Sequence, residues 1–239
     1  MADIGATCEY AWLGRVAYSD ARALQSQLAL DRAAGERPDT LLLLEHSPVY
    51  TTGRRDASAN LRIGTELLGA PLVETDRGGD ITFHGPGQLV AYPTIDLRAP
   101  RLGVVDYVRK LEEVIIRTLS CYGIESSIEC GLTGVWVGNE KIASIGVRVS
   151  RPGGAAGGWI ATHGLALNVS VDLAWFERIV PCGIADRGVT SMQRLLGDAP
   201  AIEDVADRLA ASFGEVFTSS MRRAEVIAAG VATIQRAPA

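Results

Sequence analysis

The sequence predicts an α/β fold: a single domain of mixed β-sheets flanked by helices. Apolar residues recur at helical spacing in two clear stretches, near residues 104–119 and 202–216. Around them lie short apolar runs bounded by glycine and proline, the pattern of buried strands. Helices and strands do not alternate strictly and no segment repeats. That argues for mixed sheets over a doubly wound parallel sheet.

A first helix is expected over residues 19–34, where Ala17, Ala21, Leu24 and Leu28 share helical spacing and Gly35 and Pro38 punctuate the chain. Residues 41–44 are all leucine, as in a buried strand. Residues 45–50 carry the chain out of it. Residues 54–72 are polar and glycine-punctuated, a surface loop with a short helical piece. Residues 81–84 and 89–95 read as two strands. The link Gly85-Pro86-Gly87-Gln88 fits a type II turn, with proline fixing φ at its second position and glycine supplying positive φ at its third. Val104, Val108, Leu111, Ile115 and Leu119 form the apolar stripe of a second helix that ends near Gly123. Residues 135–137 and 142–149 read as strands joined by a turn at Gly138-Asn139-Glu140. Residues 152–158, rich in glycine and alanine, read as a mobile hairpin connection. Residues 159–171 then form the return strand, and a short helix near 174–179 leads to a Pro-Cys-Gly turn at 181–183. Ile202, Val205, Leu209, Phe213 and Val216 mark a last amphipathic helix, and the final dozen residues are expected to be loose.

With 239 residues the chain fits one large domain or two small ones, and nothing in it reads as a linker. The net charge of -5, with both signs mixed throughout, argues against a general nucleic-acid binder. The basic clusters Arg54-Arg55, Arg98/Arg101 and Arg109-Lys110 read as solvated surface or as a docking patch for an acidic partner. Cysteines at 8, 121, 130 and 182 show neither metal-type spacing nor a secreted framework. No charged start precedes a long apolar stretch, so no signal peptide is expected. Apolar runs fall far short of the ~20 residues that span a bilayer. The expectation is a soluble protein of the reducing cytoplasm, with no membrane and no nucleic-acid partner.

Two residues point to acyl transfer. Cys182 lies in the turn Pro181-Cys182-Gly183-Ile184, and Lys141 opens the apolar run Lys141-Ile142-Ala143-Ser144-Ile145-Gly146-Val147. Free cysteines are more often buried and inert than catalytic. A turn with proline and glycine on either side, however, exposes a sulfur and aims backbone N–H groups beside it. Cys8, Cys121 and Cys130 lack that setting and read as packing residues. Lysine is ordinarily a surface residue whose stem lies on apolar groups. At the mouth of a buried strand a lysine can lose hydration and exchange protons, and as an ammonium it favours a neighbouring thiolate. A cysteine thiolate attacking an acyl group leaves a thioester, reactive enough to pass the acyl group on. His84 and His163, each followed by glycine, leave a Cys–His pair open as an alternative to Cys–Lys. No metal-binding pattern accompanies them. Gly78-Gly79 allows a backbone to approach a ligand closely, or simply makes a tight turn.

The ordered set Arg77-Gly78-Gly79-Asp80-Ile81-Thr82-Phe83-His84-Gly85-Pro86-Gly87-Gln88, Lys141 to Gly146, His163-Gly164-Leu165-Ala166-Leu167-Asn168 and Pro181-Cys182-Gly183 resembles the lipoate-protein ligase B family. Its members are octanoyl-[acyl-carrier-protein]:protein N-octanoyltransferases, and the resemblance spans about residues 41–190. The stretch 152–158 is longer than the family's usual connection. The resemblance implies a catalytic domain like that of biotin and lipoate protein ligases. It implies octanoyl transfer from acyl-carrier protein to a specific lysine of lipoyl domains, those of 2-oxoacid dehydrogenase complexes or glycine-cleavage H protein, as the first step of endogenous protein lipoylation. No cofactor is implied, since the octanoyl-phosphopantetheine of the carrier protein is itself the donor. By motif position Cys182 and Lys141 match the catalytic pair. Arg77, Gly78, Gly79, Asp80, Ile81, Thr82, Phe83, His84, Ser144, Ile145, Gly146, Gly164, Leu165 and Ala166 match substrate-binding positions, with His163 in support. Three rivals stay open: an ATP-dependent lipoate or biotin ligase, a non-catalytic carrier-domain or lipid-binding module, and a Cys–His hydrolase.

Overall fold

A computed structural model describes residues 6–55, 58–98, 101–152, 154, 158–180 and 187–224. The strands are β1 (Thr7–Val16), β2 (Asp39–His46), β3 (Val49–Thr52), β4 (Leu72–Glu74), β5 (Thr82–His84), β6 (Gln88–Asp96), β7 (Val135–Val137), β8 (Glu140–Ser150), β9 (Ile160–Asn168), β10 (Gly188–Val189) and β11 (Ser220–Arg223). The helices are α1 (Tyr18–Ala34), α2 (Val104–Ser120), α3 (Met192–Leu196) and α4 (Ile202–Phe217).

The large sheet runs in the order β10-β8-β9-β6-β2-β1-β11, with β7 paired to β8. Its centre, from β8 through β9 and β6 to β2, is antiparallel, while β1 runs parallel to both β2 and β11. A small sheet, β4-β3-β5, packs beside it. The mixed sheets expected from the sequence are present. The alternation of side chains along a strand explains the layers. Leu41 and Leu43 of β2 join a core with Leu111 and Ile115 of α2 and Leu209 and Phe213 of α4. Leu42 and Leu44 point the other way, to Ala21 and Leu28 of α1. Four leucines in a row are thus a strand covered on both faces. A third cluster of Tyr50, Ile81, Phe83, Phe176 and Ile179 sits under the small sheet.

Several expectations need correction. The sequence predicts no element before residue 19, yet β1 fills residues 7–16. Its pattern is interrupted by a bulge between Trp12 and Arg15, where Gly14 takes a φ of 63°. The helix expected near 174–179 is a 3₁₀ segment, Leu173–Arg178. Glu140 and Lys141 belong to β8, which leaves a shorter turn before it. Cys121 and Cys130 are exposed, so of the three cysteines among the described residues Cys8 alone is a packing residue. The turn at residues 85–88 forms as expected: the Gln88 N–H donates to the Gly85 carbonyl at 3.1 Å and Gly87 has a φ of 82°. Residues 153 and 155–157 of the expected mobile connection, and the final dozen residues, lie outside the described residues. Two of the basic clusters are engaged internally. Arg98 pairs with Asp96, Arg109 pairs with Glu112, and Lys110 Nζ donates to the Val216 carbonyl.

Candidate functional site

Strands β8 and β9 set out a strip of paired residues: Ser144 opposite Ala166, Ile145 opposite Leu165, and Gly146 opposite Gly164. The loop from β4 to β5 folds over this strip. The Gly78 N–H donates to the Val147 carbonyl at 2.9 Å, which ties the loop to β8. The approach is so close that a Cβ on Gly146 would lie 2.8 Å from the Gly78 carbonyl oxygen. Between strip and loop lies a narrow cleft of about 40 Å³. Arg77, Gly79, Asp80, Thr82 and His84 line one wall, and Ser144 to Gly146 and His163 to Ala166 the other, with Tyr18 and Tyr92 also lining it. Three segments far apart in sequence therefore share one cavity. Ile81 and Phe83, assigned to substrate by motif position, point the opposite way into the small-sheet core. Along this stretch the side chains alternate, so Asp80, Thr82 and His84 face the cleft.

Lys141 lines the adjoining groove of about 310 Å³, whose wall also holds Val104, Val108 and Leu132. Cleft and groove share Gly79, Asp80, Ile145 and Gly146. Lys141 is only 5% exposed. Its Nζ donates to the Thr133 carbonyl at 3.1 Å and lies 4.7 Å from the ring centre of Trp136, a cation–π contact. Its backbone carbonyl accepts the Thr190 N–H at 3.0 Å. Cys182 falls in residues 181–186, outside the described residues. The chain on either side is held at this site. The Val180 N–H donates to the Asn60 carbonyl at 2.8 Å, and Val189 pairs with Lys141 itself.

The cleft wall is a continuous hydrogen-bonded chain. Arg77 donates from Nη2 to the Thr51 carbonyl at 2.7 Å and to Thr51 Oγ1 at 2.9 Å. Thr51 Oγ1 lies 3.4 Å from His84 Nε2, and His84 Nδ1 lies 2.8 Å from Gln88 Oε1. Gln88 Nε2 donates to Asn168 Oδ1 at 2.9 Å, and Asn168 Nδ2 donates to the Thr190 carbonyl at 3.0 Å. Thr190 is the residue whose N–H holds Lys141. Because the Gln88 amide nitrogen donates to Asn168, its oxygen faces His84, so His84 carries its proton on Nδ1 and accepts at Nε2. Burial, reinforced by the nearby His46 and the Arg77 charge, holds His84 down at about 3. It is a neutral hydrogen-bonder at pH 7. His163 takes a left-handed φ of 57°, held by its N–H donating to Gln25 Oε1 and by its Nε2 lying 2.9 Å from Asp76 Oδ1. Burial lowers the His163 pKa, opposed by the Asp76 carboxylate. Asp76 is pushed up by burial, but its bond with His163 and the charge of Arg148 outweigh this and hold it low.

Residues 17–214 match the lipoyl protein ligase A/B catalytic domain. The chain belongs to that family. This family member is 50% identical over 213 residues to a protein of Koribacter versatilis named octanoyltransferase, covering 86% of this chain and 82% of the relative. It is 52% identical over 211 residues to an octanoyltransferase of Rubrobacter xylanophilus, covering 85% and 90%. Its fold is that of a lipoate protein ligase from the bi-partite system of Thermoplasma acidophilum, at a TM-score of 0.68 and 16% identity, over 96% of this chain and 91% of that one. At that identity the likeness speaks for fold alone.

Several residues that build the family member's cleft carry no motif in the sequence. Tyr18 and Tyr92 line it, and each sits in an ordinary helix start or strand. The third histidine, His46, is buried beneath them. Its Nδ1 bonds the Val16 carbonyl at 2.9 Å, and its Nε2 accepts from the Tyr92 hydroxyl at 2.8 Å. Burial pulls His46 down to about 4. Only the scarcity of histidine in the chain would have singled it out.

Proposed function

We propose that this family member transfers an octanoyl group from acyl-carrier protein to a lysine of lipoyl domains through a thioester on Cys182. The observation that carries the reading is the junction of the cleft with the groove of a buried lysine, beside the strand that follows residues 181–186. An acyl tail belongs in the cleft, and its carbonyl at the shared wall of Gly79, Asp80, Ile145 and Gly146. The Cys182 thiolate attacks the donor carbonyl. The bond to the phosphopantetheine sulfur breaks, and that thiolate takes a proton from the Lys141 ammonium. The neutral acceptor lysine then attacks octanoyl-Cys182. The Cys182–acyl bond breaks as the amide forms, and the amine's proton leaves through Lys141. An oxyanion forms in both steps and calls for hydrogen-bond donors at that junction. A thioester is high enough in energy to form the amide without ATP.

The donor is acyl-carrier protein and the acceptors are lipoyl domains of 2-oxoacid dehydrogenase complexes or glycine-cleavage H protein. No further cofactor enters the reaction. Free thiols at Cys8, Cys121 and Cys130 support a reducing cytoplasm. Among the described residues no helix is long and apolar enough to cross a membrane. The test is to mix the protein with octanoyl-carrier protein and a lipoyl domain, omitting ATP. Octanoyl-lysine on the lipoyl domain is expected. A need for free octanoate and ATP would reassign the chain to the ligases.

A further inference from the structure

We infer that Tyr18 sets the upper limit on acyl chain length, by separating the cleft from a larger, solvent-open and partly apolar hollow that would otherwise extend it. The inference rests on the acyl-transfer reading above. The cleft meets a neighbouring hollow at His163, and meets others at two further places that bear on chain length. At one, it shares Gly79, Asp80, Ile145 and Gly146 with the groove of Lys141. At the other stands Tyr18, which also lines a hollow of about 600 Å³ between α1 and the small sheet. Among the described residues none lines both the Lys141 groove and this hollow. On this inference an acyl chain that enters with its carbonyl at the Lys141 end runs toward Tyr18 with its tail.

The wall is fixed in place. Tyr18 is 8% exposed and its ring packs against His46 at 5.3 Å between centres. Behind the ring the hollow presents Ala17, Ala23, Pro48, Val49, Pro71 and Val73, which suit methylenes. Arg22 and the serines at 19, 26 and 47 lie at the same hollow, so it is only partly apolar. The contrast in size between the narrow cleft and the hollow makes one side chain the difference between a short slot and a long one.

The experiment compares kcat/KM for octanoyl-, decanoyl- and dodecanoyl-carrier protein, with a lipoyl domain as acceptor. The proteins are wild type, Tyr18→Phe, Tyr18→Ala and the double variant Tyr18→Ala/Ala23→Trp, each checked by thermal unfolding. Tyr18→Ala is expected to raise the dodecanoyl-to-octanoyl ratio by about tenfold or more, since each methylene admitted to apolar space adds several-fold. Tyr18→Phe keeps the wild-type ratio because the ring remains. The double variant returns toward the wild-type ratio because the indole occupies part of the hollow, which mere loosening of the site would not reverse. An unchanged ratio in a folded, octanoyl-active Tyr18→Ala protein overturns the inference, as does a raised ratio that Ala23→Trp leaves untouched. Failure of wild type to transfer octanoyl would instead sink the acyl-transfer reading.

Discussion

His46 and His84 stand with ring centres 5.8 Å apart, one buried under Tyr92 and the other in the cleft wall. Burial is the first cause of both shifts, from 6.5 down to about 4 for His46 and about 3 for His84. For each, the folded pKa lies below the unfolded one. The stabilising contribution is therefore complete above pH 6.5 and is lost as pH falls from there toward the folded values. In that window the unfolded chain binds protons that the folded chain refuses. At pH 5 each histidine contributes a loss of about 2 kcal/mol, hence about 4 kcal/mol for the pair relative to pH 8. For a chain of this size that is a fall of about 8–16 °C in Tm. The assay is thermal unfolding from pH 8 to pH 5 for wild type, His46→Gln, His84→Gln and the double variant. His163, also lowered by burial, adds to the acid loss, while Asp39, raised by burial, opposes it. Both stay in every variant, so the difference in slope isolates the pair. Each single substitution should remove about half of the pair's share. A wild-type Tm that is flat over this range, or slopes identical in all four proteins, would refute the assignment of two neutral buried histidines.

The site makes further demands. Lys141→Ala should slow both acylation and deacylation and move iodoacetamide alkylation of Cys182 to higher pH. Lys141→Arg should not rescue it, because arginine does not release its proton; coincident alkylation profiles would remove lysine from that role. Gly146→Ala puts a methyl 2.8 Å from the Gly78 oxygen, overpacking that costs about 1–3 kcal/mol and displaces the loop that covers the cleft. Its octanoyl kcat/KM should fall at least about tenfold, since catalysis depends on position to within about an ångström, and full activity would show that the covering loop does not shape the site. Shortening the donor to hexanoyl forfeits about 1.6 kcal/mol, roughly fifteenfold in kcat/KM. A flat hexanoyl-to-octanoyl comparison would mean that the tail is not enclosed.

Much of the site was legible because motifs are local. The Arg77 to His84 stretch, the lysine-led strand and the His163 to Ala166 stretch each read directly from the chain, and β8 and β9 pair two of them side by side. Side-chain direction was less legible. Treating Arg77 to His84 as one block hid the alternation that sends Ile81 and Phe83 into a core while Thr82 and His84 face the cleft. Contacts across long sequence separations were the least legible. Tyr18 and Tyr92 look like any helix-start or strand tyrosine, and only the sheet order brings them together over His46. Strand β1 was missed because a bulge and Gly14 break its pattern, and β11 because its exposed, charged residues pair only along an edge. The helices α2 and α4 were read well, since their apolar stripes face one shared core.

The acyl-thioester on Cys182 is the central step, and intact-protein mass spectrometry reads it most directly. The protein is incubated with octanoyl-carrier protein, without a lipoyl domain, and the modified residue is mapped by peptide fragmentation. One octanoyl group is expected on Cys182, absent from Cys182→Ser and discharged when the lipoyl domain is added. Transfer that proceeds with Cys182 unmodified and with normal turnover in Cys182→Ser, or an adduct confined to the exposed Cys121 or Cys130, would contradict it.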